Sequence, residues 1–142
     1  MERRRDAATV LRNLESDRLA ADGILLQIKQ LESDMVTLSE MGYIHAQGEK
    51  ITPENRMRAL IDEKARLVTR EKVKREHVLH VERVMKSLPE RQRTVLEVFY
   101  CSNYEPGEAL RRLERQLNVE QAQIYNIRRR ALRNFATRIG YV

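Results

Sequence analysis

At 142 residues, with 42% hydrophobic and 34% charged residues, no Trp, five Gly and three Pro, the chain has the profile of an all-α protein with almost no sheet. One cysteine excludes an intramolecular disulfide, and neither a signal peptide nor an apolar run of bilayer length is visible, so a cytoplasmic protein without a membrane partner is expected. The formal net charge of +6 is unevenly placed: residues 121–142 hold five arginines, Arg128, Arg129, Arg130, Arg133 and Arg138, and no acid, an asymmetry that favours a polyanionic partner.

Arg3, Arg4 and Arg5 precede Asp6, which suits a helix cap, although a frayed basic terminus is the plainer expectation. From there Val10, Leu14, Asp17, Ala21, Ile24, Ile28, Leu31, Met35 and Leu38 occupy alternating positions of one heptad frame, the signature of a coiled coil. Asp17 and Ala21 are its weak layers, and Gly23 lowers helix propensity beside them. The tight seam is therefore expected at Ile24, Ile28, Leu31, Met35 and Leu38, and these residues are assigned to homodimerisation. Met41 and Gly42 should end this helix through a left-handed glycine cap, and a loop follows through Gln47, Gly48, Glu49 and Lys50.

Thr52 reads as the N-cap of a second long helix with Pro53 at its first position, where a missing N–H costs nothing. Two long helices joined by a short loop favour an antiparallel hairpin, and their pairing within a chain or between chains stays open. Met57, Leu60, Leu67, Val78, Val81, Met85 and Leu88 share one frame on the second helix, but Lys64, Glu71 and Lys74 interrupt it, and Ile61, Ala65 and Val68 form a neighbouring stripe. Its middle is expected to be solvated or kinked. The mixed charges of residues 70–76 suit an exposed helix face. His77 and His80, with Glu76 and Glu82 nearby, offer too few converging ligands for a metal site. No Gly-rich phosphate loop or nucleophile elbow occurs, so neither catalysis nor a cofactor is expected.

A second domain, residues 87–142, is expected after a coiled-coil or hairpin region of residues 1–86. Ser87 or Leu88 should cap a first helix with Pro89 early inside it, and Val95, Leu96, Phe99 and Tyr100 form its apolar face. Residues 101–105 break the pattern, and Pro106 opens a second helix carrying Leu110, Leu113 and Leu117. Asn118, which tolerates the left-handed conformation, turns the chain into a third helix capped by Glu120. Ile124, Ile127, Ala131, Leu132 and Phe135 form that helix's buried stripe. With Leu113, Leu117 and Val119, they fit the spacing of a helix-turn-helix. Its other faces are polar. Gln121, Ala122, Gln123, Tyr125 and Asn126 lie in its first two turns, where a recognition helix meets base edges: amides can pair with adenine, and an alanine methyl can meet a thymine methyl. Arg128, Arg129, Arg130 and Arg133 follow one turn later, at the height of the phosphates.

Three segments, LPERQRTVLEVFY, LERQLNV and IYNIRRRALRNF, resemble region four of bacterial sigma factors, the helix-turn-helix module that reads the upstream promoter element. The resemblance spans residues 88–137. The whole layout, heptads followed by such a domain, is similar to phage-encoded regulators of the RinA-like and ArpU-like late-gene activator type. The resemblance implies base contacts from Gln121, Ala122 and Asn126 and backbone contacts from Tyr125 and Arg130. It also implies double-stranded DNA as ligand and host RNA polymerase as a candidate partner. Three features depart from the family pattern. Glu114 stands where a small residue is usual, a few extra residues separate Tyr100 from Leu113, and Ala122 replaces an acidic base reader, which implies a different preferred sequence. The insertion, residues 102–107, is expected to form a longer loop or an added helical turn before the helix-turn-helix. Heptads stand where an aromatic-rich promoter-melting region would be, so the chain reads as a transcriptional regulator rather than a complete sigma factor. A small-terminase-like DNA-packaging protein and an adaptor that binds polymerase or another regulator without DNA are the rival readings.

Overall fold

The computed structural model describes residues 2–41 and 52–140, and all their regular structure is helical. Six α-helices follow in order: α1 (Glu2–Arg12), α2 (Leu14–Met41), α3 (Pro53–Ser87), α4 (Glu90–Leu96), α5 (Pro106–Leu117) and α6 (Gln121–Ile139). A wide π-helical turn, Glu97–Cys101, extends α4. The glycine cap and loop expected at residues 42–51 lie outside the described residues. Two compact units form: Met1–Asp17 with His77–Val142, and Arg18–Glu76.

This division does not follow the expected boundary between residues 86 and 87. The first unit begins at α1, whose helix already includes Arg3, Arg4 and Arg5, where a frayed terminus was expected. Ala7, Ala8, Leu11 and Leu14 are buried in a core with Val78, Val81, Val84, Met85 and Leu88 of the α3 end, Leu96 of α4, and Ala131, Leu132, Phe135, Ala136 and Ile139 of α6. The reason is apolar supply: the second half of α6 is apolar on a broader face than α4 alone covers, and α1 provides small side chains that let two helix backbones approach. Asn13 alone separates α1 from α2. Its N–H donates to the Thr9 carbonyl (3.0 Å) and its own carbonyl accepts from Asp17 N–H (2.8 Å), so helical hydrogen bonding passes across it.

In the second unit, α2 and α3 run antiparallel within the chain. Ile24 and Ile28 are buried against Leu67, with Leu31 packed on them, while Asp22 meets Arg75 at 2.9 Å and Glu32 meets Lys64 at 3.8 Å. Of the five heptad residues assigned to a second chain, two are thus buried within this one. Ile24 and Ile28 are covered by α3, and Leu31, Met35 and Leu38 are half-buried. The physical cause lies in the polar interruptions of α3. Lys64 reaches across to Glu32, and Glu71 holds Arg75 at 2.9 Å, so both stay half-buried with partners rather than solvated. Arg75 belongs to this cluster instead of a wholly exposed face. Its hydrogen bonds to Asp22 and then Glu71 raise its guanidinium above the usual range. The start of α3 matches the sequence: Asn55 N–H donates to Thr52 Oγ1 at 3.2 Å, with Pro53 at the first helical position.

Candidate nucleic-acid interface

The last three helices meet in a small core. Val95 of α4, Leu113 of α5 and Ile124 of α6 are fully buried together, with Leu110, Leu117, Val119 and Ile127 packed around them. The chain enters α4 through Pro89, which is itself the cap residue rather than an early helical one: its fixed φ of −52° with ψ of 143° is extended, and the helix starts at Glu90. Of residues 102–107, 102–105 form the break after the π-helical turn and Pro106 and Gly107 open α5, while Leu113, Ile124 and Ile127 share one core. Ser102 Oγ donates to the Glu97 carbonyl at 3.1 Å, tying the end of the wide turn back to its start.

Asn118 caps α5 at φ 52° and ψ 49°, the one non-glycine residue with positive φ among those described. That reversal puts Val119 into the shared core and starts α6 after Glu120. Glu120 N–H donates to Gln123 Oε1 at 3.3 Å, so the Gln123 side chain folds back over the helix start. Of the five residues expected to meet bases, Gln123 is thus engaged in capping, while Gln121, Ala122, Tyr125 and Asn126 are exposed.

The four arginines separate as well. Arg129, Arg130 and Arg133 are exposed, and none makes an ion pair among the described residues. With Ala122 and Asn126 they fall within an arc of about 100° and form a single stripe along α6. Arg128 is different: half-buried, its guanidinium lies 4.9 Å from the Phe99 ring centre and 5.5 Å from that of Tyr125. Its charge is spent on ring faces, not on the stripe. Arg138 also departs from the basic surface, since its Nη1 donates to the Ser87 carbonyl at 2.6 Å and lies 3.1 Å from Ser87 Oγ.

Other contacts fix the orientation of α6. Asn134 Nδ2 donates to Gln92 Oε1 of α4 at 2.9 Å, and His80 Nε2 lies 3.0 Å from the Ile139 carbonyl, so that histidine closes a helix end. His77 faces Asp17 at 3.8 Å instead of sharing a site with His80. No group of three or more His, Cys, Asp or Glu among the described residues is placed to hold a metal ion. No described helix is long and apolar enough to cross a membrane.

Phe99 is the residue whose part in this surface sequence reasoning missed. It was assigned to an apolar helix face, but the π-helical turn directs it to the α5 and α6 core and the Arg128 guanidinium, while adjacent Tyr100 packs on the α1 core with Arg12 over its ring at 5.2 Å. Ordinary helical periodicity carries no signal for a π turn, because one added residue changes every angle after it. Comparison with protein-family models, curated proteins and solved structures finds no match for this chain.

Proposed function

We propose that this protein is a sequence-specific DNA-binding regulator of transcription whose α6 lies in the major groove. The carrying observation is the exposed stripe of Ala122, Asn126, Arg129, Arg130 and Arg133 on a helix that has no acidic residue from Gln121 to its end. Amide and methyl groups at its start suit base edges, and unpaired guanidinium groups farther along suit phosphates. Its mounting supports the same reading: a left-handed Asn118 between two helices sharing Leu113 and Ile124 leaves the first turns of α6 projecting from a packed support. The resemblance to sigma region four and to phage late-gene activators extends the proposal to activation of phage or prophage genes, with host RNA polymerase as second partner.

A salt titration against a selected duplex and a scrambled one tests this. Asn126→Ala should cost roughly 1 to 3 kcal/mol on the selected duplex and leave the scrambled one unchanged, as expected for a lost base contact. Arg130→Ala should weaken both alike and reduce the salt slope by about one counterion. If neither variant changes binding, α6 is not the reader, and an adaptor role without DNA becomes the better account.

A further inference from the structure

We propose that Phe99, Arg128 and Tyr125 form one stacked unit that holds the Tyr125 ring beside Ala122 as an apolar platform for the 5-methyl group of thymine, so that Arg128 is a positioning residue and not a phosphate contact. The inference rests on the DNA-reading role of α6 and specifies what that helix reads. Arg128 sits roughly 140° around the helix from the centre of the exposed stripe, at about 100° per residue. Its guanidinium is flanked by two rings, at 4.9 Å from Phe99 and 5.5 Å from Tyr125. Phe99, half-buried, packs against the buried core of Val95, Leu113 and Ile124, which gives the stack its base. Tyr125 is the outer member, 39% exposed, three residues before Arg128 and three after Ala122.

A tyrosine standing alone on a helix surface samples several rotamers; one whose ring is engaged by an anchored guanidinium samples fewer. The ordered ring and the Ala122 methyl, one helical turn apart and about 60° around the helix, then present adjacent apolar surface along the edge of the stripe that carries Asn126. In the major groove the apolar feature that distinguishes one base from the others is the thymine methyl. The π-helical turn is the device that makes this possible, since it sends Phe99 and Tyr100 to different cores.

The test uses the full chain and a duplex enriched from a randomised pool, with each thymine replaced in turn by uracil, which lacks only the methyl. Wild-type affinity should fall about fourfold at one or two thymines, the worth of one buried carbon. Arg128→Lys keeps the charge but loses the planar stack; it and Phe99→Leu should abolish the difference between thymine and uracil while the salt slope stays at the wild-type value. Tyr125→Phe should retain the difference, and Tyr125→Ala should lose it. Arg129→Ala, as a phosphate control, should keep the thymine effect and lower the salt slope. A selective wild type indifferent to uracil at every thymine overturns the platform and leaves the DNA-reading role standing. Retention of the thymine effect in Arg128→Lys, or a salt slope reduced in Arg128→Met as in Arg129→Ala, also overturns it. A wild type that enriches no sequence overturns the DNA-reading role and the platform together.

Discussion

Asn118 carries the turn between α5 and α6, and its backbone at φ 52° and ψ 49° limits what can replace it. A Cβ branch in that region crowds the following carbonyl, whereas glycine has no Cβ and asparagine is the best tolerated of the others. Asn118→Val should therefore destabilise the chain by about 1 to 2 kcal/mol in urea denaturation, and Asn118→Gly should be close to neutral. Equal losses in both variants would mean that the side chain, not the backbone, holds the turn. The arginines of α6 show a related distinction. Arg128, Arg129 and Arg130 are identical and consecutive, yet one lies against rings and two point outward. On a helix, neighbours differ in direction by about 100°, so three consecutive arginines cannot all face one way.

Among the elements, α2 and α3 owe their pairing to a short apolar contact and two ion pairs between helices rather than to a continuous seam. Ile24, Ile28 and Leu67 supply the buried contact, and the two ion pairs, Asp22 with Arg75 and Glu32 with Lys64, stand on either side of it. Exposed ion pairs contribute little each, which places most of the stability on the apolar contact, including Leu31 packed on it. Ile28→Asp would put an unpaired carboxylate against Leu67. The expected outcome is loss of helical structure in the Arg18–Glu76 unit, at a cost of about 3 kcal/mol or more, and not only a change of association state. Circular dichroism with sedimentation separates the two: a fully helical monomer replacing a wild-type dimer would return these side chains to an interface between chains.

For the molecule as a whole, the helix that joins the last domain from the far end of the sequence is α1. Leu11 has no exposed surface and lies in the core that contains Phe135 of α6. Without α1 and the end of α3, a fragment of residues 87–142 would leave Leu132, Phe135, Ala136 and Ile139 without much of their cover. Such a fragment should lack a cooperative thermal transition, whereas the full chain should show one; a sharp transition in the isolated fragment would show that α1 is dispensable. Leu11→Ala is the milder form of the same experiment and should destabilise by about 2 to 5 kcal/mol through the cavity it leaves.

Local rules suffice for much of this protein. The spacing of Leu113, Leu117, Ile124, Ile127 and Phe135, the prolines at 53 and 106, the Thr52 cap and the left-handed Asn118 specify the helices and their breaks, because periodicity and capping act within a few residues. The arginine-rich, acid-free face of α6 is legible for the same reason. Tertiary packing alone decided that α1 belongs with α6, that Ile24 and Ile28 meet Leu67 of their own chain, and that Arg128 stacks on Phe99. A heptad marks an apolar face without naming what covers it, and an arginine marks a charge without fixing its direction. Both are settled only when distant segments compete for the same apolar surface.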